Sequence, residues 1–356
     1  MGTINLMSDA QLKAMKDNLK ECNVYLKALS EGRVFSVSDP AALNDISKNG
    51  LSTKYFQEGD QVVVDYTSTG GTVYSMPWDM YLGKSATLAD GTTREGIYLQ
   101  SHYATIDSTQ FDAIENEVAT EGTAIAGLYY YGYNGTTYTY LALNAGDTIP
   151  YGSYTAIYHN EIKDPSGNIC KYGYNRYSHG AYHQWLNSAE LKNLWWTPKH
   201  IGDCAPPQLE TINGFLAGLP ADFVNAIETV KVHRLLNTVS EPDKTMITET
   251  FNAKFFLPSL DQMYITPQIG GVEGQSWEYY EALAVAAGLP GKFAQGGTYT
   301  QLVSYALENH TSEQQVRLGS AAISYSCFVW NTAFGGLIAG GVAAYGTYRC
   351  RPVCFI

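Results

Sequence analysis

The C-terminal stretch, residues 316–356, reads VRLGSAAISYSCFVWNTAFGGLIAGGVAAYGTYRCRPVCFI. It has no charged residue between Arg317 and Arg349, and small residues alternate irregularly with aromatic ones. Three interpretations compete for it: a membrane span, a set of short strands in a buried sheet, or the same strands carrying a binding surface. The choice among them decides the fold class.

A long stretch without charge is typical of a transmembrane helix. The spacing of Gly336 and Gly340 also matches a helix-dimer motif. However, the stretch contains six glycines from Gly319 to Gly346, together with polar residues such as Asn331. Because this polar content leaves no apolar block of the roughly 20 residues that a span needs, we predict no membrane insertion.

Two parts of the stretch have the composition of strands. These are residues 327–330 and 351–356, and the glycine pairs between them indicate turns. We therefore predict short, tightly turning strands, the last of which closes the domain. Tyr, Ser, Gly and Asn are also the residues that binding loops favour, so the same strands can carry a binding surface.

Composition excludes some classes of function. The chain has 356 residues, of which 45% are hydrophobic and 16% charged, and its net charge is -12. A length of this size is typical of two or three domains. The negative charge and a pI near 5.0 argue against a nucleic-acid binder, which needs a basic surface. They equally disfavour docking on an anionic membrane.

Residues 1–8 lack the basic start and apolar segment of a secretory signal. We therefore expect a protein that is made and assembled inside a cell. The cysteines are dispersed and form no CxxC pair, which indicates buried, reduced thiols. They are Cys22, Cys170, Cys204, Cys327, Cys350 and Cys354.

Residues 8–31 predict an amphipathic helix, with Ser8 as N-cap and Gly32 as the stop. The apolar positions recur every three or four residues, as on one face of a helix. They are Leu12, Met15, Leu19, Cys22, Leu26 and Leu29. This face must pack on something. It can pack on its own domain, or on copies of itself or a larger assembly, and the sequence leaves these two alternatives open.

Residues 34–150 predict a β-rich attachment domain. One hairpin is expected between strands 61–66 and 72–74. The clearest hairpin signal is Asn134-Gly135, which suits a type I′ turn between residues 127–133 and 136–143. Residues 111–120 are the one helix expected here.

Glycines and prolines in residues 144–154 indicate a domain boundary. We therefore predict three units, 1–33, 34–150 and 151–356. Elements of both kinds are expected in the last unit. They are helices at 178–194, 221–230 and 277–289, a strand at 231–236, and a buried apolar run at 254–259 that stops at proline.

Six short motifs follow one another in this last unit. They are Gln184-Trp185-Leu186-Asn187-Ser188, Trp195-Trp196, Gly214-Phe215-Leu216, Phe255-Phe256-Leu257-Pro258-Ser259, Arg317-Leu318-Gly319-Ser320-Ala321 and Arg351-Pro352-Val353-Cys354-Phe355-Ile356. Together they resemble a domain family of phage virion and prophage proteins, in which WLN, FLPS, W-L-R-S and a final (R/A)-P-A-(C/F)-x-I follow in order. The chain departs from this pattern where Gly319-Ser320 replaces Arg-Ser and Arg317 lies two residues earlier.

That family is similar to the C-type lectin-like fold of phage receptor-binding proteins and of the targets of diversity-generating retroelements. The resemblance implies an α+β fold, in which an N-terminal helix and a β-rich domain precede a C-type lectin-like domain. It also implies a non-enzymatic structural protein of the virion, made in the bacterial host cytoplasm, without a cofactor or a metal. Its partners would be other virion proteins and a host cell-surface protein or glycan, and a homotrimer is expected.

In retroelement-diversified proteins of this kind, the variable segment occupies the C-terminal position, and its adenine-rich codons yield Asn, Tyr, Ser, Thr, Ala and Gly. The resemblance therefore implies a ligand-binding face in this segment, although the same residues could instead form core and sheet. The candidate ligand-binding residues are Tyr325, Phe328, Trp330, Asn331, Phe334, Tyr345, Thr347 and Tyr348.

Three other sites can be considered. His179 and His183 have a helical metal-ligand spacing, but no glutamate lies between them. Glu241-Pro242-Asp243 and Trp330-Asn331-Thr332 resemble the calcium-and-sugar motifs of animal lectins, yet no carboxylate side chain follows Glu313.

The resemblance also implies that Cys350 and Cys354 lie in a fold that houses a cysteine oxidase site in formylglycine-generating enzymes. Arg349 and Arg351 could activate a thiol there. Two alternatives to host recognition therefore remain, an assembly or decoration module whose C-terminal face is a protein–protein interface, and this oxidase.

Overall fold

A computed structural model describes residues 34–36, 39–112, 129–133, 138–142, 155–158, 175–197, 199, 205–236, 248–302, 316–321, 328–332, 337–342 and 348–356. Helices and strands both occur, so the fold is mixed α+β, as predicted. The helix predicted at 8–31 lies outside the described residues. Among the helices that are described, none combines the length and the apolar character needed to cross a membrane.

The strands belong to four sheets. They are β1 (Val34–Ser36), β2 (Gln61–Thr67), β3 (Val73–Thr87), β4 (Thr93–Ser101), β5 (Tyr129–Tyr133), β6 (Tyr138–Ala142), β7 (Thr155–Tyr158), β8 (Val230–Leu235), β9 (Thr248–Ala253), β10 (Phe255–Phe256), β11 (Val316–Ala321), β12 (Phe328–Thr332), β13 (Ile338–Val342) and β14 (Val353–Phe355). Their orders are β1-β2-β3-β4-β14-β10, β11-β12-β13, β6-β5-β7 and β8-β9.

The helices of the described residues are short. The α-helices are α1 (Pro40–Lys48), α2 (Ser52–Tyr55), α3 (Ala181–Leu186), α4 (Ala221–Ala226) and α5 (Glu278–Ala286). Four 3₁₀ turns accompany them, at Tyr177–His179, Pro207–Glu210, Phe215–Gly218 and Thr300–Leu302.

The largest sheet is closed by the last strand of the chain. β14 lies between β4 and β10 and is antiparallel to both, with Cys354 opposite Leu99 on one side and Phe255 on the other. Residues 353–356 are all fully buried. The prediction of a closing strand within 351–356 is therefore confirmed.

This sheet crosses the predicted boundary between residues 150 and 151. β1 to β4 come from the predicted attachment domain, whereas β10 and β14 come from the predicted lectin-like domain, yet they form one sheet. One continuous hydrophobic core also runs from Ala42 to Ile356. The composition change that suggested the boundary reflects a local run of glycine and proline, which does not divide these strands.

Helix α1 was not predicted, although its start carries a clear signal. The Asp39 side chain accepts a hydrogen bond from the Ala42 amide at 3.2 Å, and Pro40 occupies the first helical position. Leu43 and Ile46 are fully buried. The helix was overlooked because it has nine residues, too few to show a repeated apolar pattern.

Both predicted hairpins are confirmed. β2 pairs with β3 from Gln61 opposite Asp79 to Thr67 opposite Val73. β5 pairs with β6, and Tyr133 lies opposite Tyr138. The turn at 134–137 lies outside the described residues, as do residues 113–120 of the predicted helix at 111–120.

The predicted helix at 178–194 is wrong in length. A 3₁₀ turn ends at His179, Gly180 has an extended backbone, and α3 ends at Leu186. The helix stops because Asn187 pairs with another segment. Its Oδ1 accepts from the amides of Lys254 (2.8 Å) and Phe255 (3.1 Å), and its Nδ2 donates to Phe255 O at 2.8 Å.

The remaining predicted elements are present with shorter bounds. α4 ends at Ala226 rather than residue 230, and α5 ends at Ala286 rather than residue 289. The predicted strand at 231–236 is β8, and the buried run at 254–259 contains β10.

An ionic clamp holds the start of the final strand. The Arg351 Nη2 lies 3.0 Å from Asp79 Oδ2, and its Nε donates to Ser101 O at 2.7 Å. Asp79 is 3% exposed and also accepts from Gln61 Nε2 at 2.7 Å. His102 Nδ1 is 2.9 Å from the same carboxylate. The Asp79 carboxylate of β3 therefore links Arg351 to Gln61 of β2, and Arg351 itself binds β4 through Ser101 O.

We expect Asp79→Asn to lower the free energy of unfolding by about 3 kcal/mol, because it leaves the Arg351 guanidinium, whose side chain is 11% exposed, without its counter-charge. Urea denaturation measures this change. Asp65→Asn is the matched control, since Asp65 is exposed and accepts a single hydrogen bond from Ser75. Its effect should stay within about 0.5 kcal/mol. Equal losses of unfolding free energy in the two variants would show that the Arg351–Asp79 contact does not stabilise the fold.

Candidate functional site

The stretch predicted to bind a ligand contains a three-stranded antiparallel sheet. Arg317 of β11 lies opposite Asn331 of β12, and Trp330 lies opposite Gly340 of β13. The outer edge of β13 is covered by residues 296–298, because Ile338 N donates to Gly297 O at 3.0 Å. The predicted strand at 327–330 is confirmed as β12.

Both ends of this stretch are fixed to the buried core. Gly319 N donates to Pro258 O at 2.8 Å, and Leu260 N donates to Ser320 Oγ at 2.9 Å. The C-terminal end of the stretch lies next to its N-terminal end, because Arg317 N donates to Arg349 O at 3.1 Å. The two ends of the stretch therefore lie side by side, and Leu318, Val329 and Ile338 between them belong to the same core.

The structure describes the side chains of three predicted binding residues. Trp330 and Tyr348 are half-buried, whereas Asn331 is 2% exposed. Phe328 lies in β12. The other four lie outside the described residues, and they are Tyr325, Phe334, Tyr345 and Thr347.

Asn331 does not lie on an accessible face, contrary to the prediction. Successive strand residues point to opposite faces, so Asn331 points away from Trp330. Its face packs inward, because the neighbouring Val329 and Arg317 are each fully buried. The Arg317 guanidinium lies 4.2 Å from the centre of the Tyr348 ring, so this ring is held by a cation–π contact.

Trp330 and Gly340 form the open part of the sheet. Residues directly opposite in an antiparallel pair share one face, so the indole lies beside a position without a side chain. Gly340 is exposed, and a Cβ built on it would meet no atom within 4 Å. The indole Nε1 is shielded from solvent, and the described residues give it no hydrogen-bond acceptor. This face therefore offers part of an aromatic ring beside open space.

The motif departure at Gly319 has a structural cause. A Cβ at this position would lie 2.5 Å from Arg234 Nε and 2.9 Å from Leu257 O. Arg234 of β8 is 1% exposed and contacts the Tyr177 and Phe256 rings at 5.6 Å. A buried arginine is thus present beside Gly319, but it comes from a different strand.

Sequence analysis did not single out Arg234 or Glu273. Glu273 is 1% exposed, accepts from Leu235 N at 2.9 Å and contacts Ser320 Oγ. Burial raises the pKa of Glu273, although nearby Arg234 opposes the shift. Two charged residues far apart along the chain carry no local pattern that would have marked them as neighbours.

The two histidines with metal-ligand spacing do not share a helix. His179 ends a 3₁₀ turn, and His183 lies in α3, where its ring packs 4.9 Å from Phe251 and 5.6 Å from Tyr177. The described residues hold no group of three or more His, Cys, Asp or Glu that could bind a metal ion. Residues 241–243, considered for calcium, lie outside the described residues.

Cys350 and Cys354 are fully buried free thiols. Burial raises the pKa of Cys350 to about 12 and also raises that of Cys354. The arginines considered as activating groups are engaged elsewhere, because Arg349 donates to Thr105 O at 2.8 Å and Arg351 binds Asp79. This environment favours the neutral thiol over the reactive thiolate.

Comparison with protein-family models, with curated proteins and with solved structures found no match to this chain.

We expect Cys350 and Cys354 to resist iodoacetamide at pH 8 in the native protein and to be alkylated after unfolding, because burial keeps both thiols protonated and inaccessible. Mass spectrometry of proteolytic peptides locates the modification. The unfolded protein is the control for intrinsic reactivity. Alkylation of either residue at a similar rate in both states would contradict the buried position.

Burial and the charge of Lys199 lower the pKa of His183 from 6.5 to about 4. Between these values the unfolded chain binds a proton that the folded protein does not. Stability should therefore fall as the pH drops from 6.5 to 4, by up to about 3 kcal/mol.

Urea denaturation at several pH values measures this loss. His183→Phe keeps an aromatic ring but cannot titrate, so its stability should fall less over the same window. Parallel pH profiles for the two proteins would rule out His183 as the source.

Proposed function

We propose that this protein is a non-enzymatic structural protein of a phage virion. In this proposal, a C-type lectin-like domain displays the face around Trp330 and Gly340 to a ligand on the host-cell surface. The carrying observation is that residues 318–348 begin and end on the buried core, next to each other. A segment anchored in this way can change its outer residues without disturbing the scaffold.

The convergence of the motifs supports the lectin-like assignment. Asn187 of the WLN motif binds the backbone of Phe255, and Cys354 of the final motif lies opposite Phe255 in the sheet. Gly319 and Ser320 bind Pro258 and Leu260. Four motifs that are far apart along the chain therefore meet around residues 255–260, as expected if they define one domain.

The chemistry of the face supports binding. A partly exposed tryptophan is typical of interface hot spots. The exposed part of the ring can stack on a sugar or on an apolar side chain. We further propose a homotrimer, which would place three such faces on one particle component.

The test is the binding of the labelled full-length protein to cells of the bacterial host, measured by flow cytometry. We expect Trp330→Ala to weaken cell binding at least tenfold, as loss of a hot-spot side chain does. Trp196→Ala is the matched control, because Trp196 is also half-buried but lies outside this sheet. Its cell binding should not change.

Equal loss in both variants, or no binding of the wild-type protein to any host cell, would refute the display function. The assembly alternative makes the opposite prediction. If the face is an interface inside the particle, Trp330→Ala should prevent incorporation into virions while the wild-type protein does not bind cells. Sequences of several isolates also separate the two, since host recognition predicts substitutions concentrated between Ser320 and Tyr348.

A further inference from the structure

Four large apolar side chains in the described part of the chain are between 58% and 69% exposed. They are Val73, Leu191, Leu194 and Val285. Val285 lies on α5. The other three lie at the end of the β2–β3 hairpin that carries its turn.

Both leucines belong to a rigid turn, residues 190–194, which we call the leucine turn. Leu194 N donates to Leu191 O at 3.1 Å and closes this turn. Asn193 N donates to Leu209 O at 2.7 Å, which fixes the turn to a second segment. The Asn193 backbone has a φ of 70°, a left-handed conformation that asparagine tolerates. The two exposed leucines are therefore displayed on a preformed backbone.

The leucine turn lies beside the β2–β3 hairpin. Lys192 N donates to Asn213 Oδ1 at 3.0 Å, and Asn213 N donates to Thr69 Oγ1 at 2.8 Å. Thr69 belongs to the turn between β2 and β3, and β3 begins directly after this turn with the exposed valine. The exposed valine and both exposed leucines are therefore at the same end of the molecule. We call these three residues, Val73, Leu191 and Leu194, the apolar tip.

The apolar tip has the properties of a protein–protein contact. Removing its side chains from water would stabilise a complex by roughly 25 cal/mol per Å² of apolar surface buried. Exposed apolar residues that are grouped mark interaction sites more often than single ones do. The rigid backbone of the leucine turn also reduces the conformational entropy that is lost on binding.

The charges of the leucine turn indicate which partner it fits. The chain has a net charge of -12, so two copies repel each other over most of their surface. Glu190 and Lys192 flank Leu191 and are both exposed, which leaves the leucine turn without net charge. When two such turns meet, the acid of each can pair with the base of the other. The turn is therefore complementary to itself.

We propose that the apolar tip is a contact between copies of this chain. In this contact, Leu191 and Leu194 pack on the same residues of a second copy, and Glu190 pairs with Lys192 of that copy. The inference supplies the contact for the homotrimer of the proposed function and rests on that part of it. It is separate from the display of a ligand-binding face, because residues 190–194 lie outside β11, β12 and β13.

The first experiment measures the association of the full-length protein by sedimentation velocity at several concentrations. We expect the wild-type protein to form an oligomer. Leu191→Asp should raise its dissociation constant about tenfold, because it places a carboxylate in an apolar contact. Val285→Asp is the matched control, since it makes the same kind of change at the exposed position on α5. Its association should equal that of the wild-type protein.

Melting temperatures verify that both variants are folded. A wild-type protein that is monomeric at every concentration overturns this inference together with the homotrimer. An oligomer that Leu191→Asp and Val285→Asp leave equally intact overturns this inference alone, because the copies then meet through another surface. Cell binding by Trp330→Ala tests the display function in either case.

Charge reversal tests whether the turn contacts its own copy. Glu190→Lys and Lys192→Glu should each weaken association about threefold, because each places like charges on facing turns. An equimolar mixture of these two variants should associate as the wild-type protein does, and so should the double variant that carries both changes. Single variants that associate as the wild-type protein does, or a double variant that does not recover, overturn the self-contact.

Discussion

The pairing of the last strand with β4 and β10 is the constraint on which the rest of the structure depends. β14 contributes three residues, yet it joins a strand from the first third of the chain to one from the last third. Its apolar side chains complete the core, and the Arg351–Asp79 contact fixes the point where it enters the sheet. This pairing joins segments that are far apart along the chain. The conformational entropy lost on bringing them together must be offset by the burial of many apolar groups at once.

The region around residues 255–260 is the meeting point of the motifs. Asn187 supplies the hydrogen bonds that a neighbouring strand would otherwise supply to Phe255. Pro258 accepts from Gly319, which brings the β11–β13 sheet against the core. Because every one of these contacts involves backbone groups, the scaffold constrains the path of the chain more than the identity of outward side chains.

The candidate site could be predicted in part. Trp330 is partly exposed beside an open glycine, whereas Asn331 is buried because strand alternation turns it inward. Composition suggested an aromatic surface and could not distinguish the two faces of β12. The apolar tip was beyond sequence analysis, since the leucine turn and the β2–β3 hairpin meet through hydrogen bonds between residues far apart along the chain.

The sequence by itself determined the local elements, which are the hairpins β2–β3 and β5–β6, the strand β12 and the closing strand β14. These follow from turn residues and alternating apolar positions, which act over a few residues. Tertiary structure alone decided that β4 pairs with β14, that α3 stops at Asn187, and that Arg234 lies beside Gly319. Each of these outcomes depends on hydrogen bonds and burial between residues more than 65 positions apart, which no local pattern encodes.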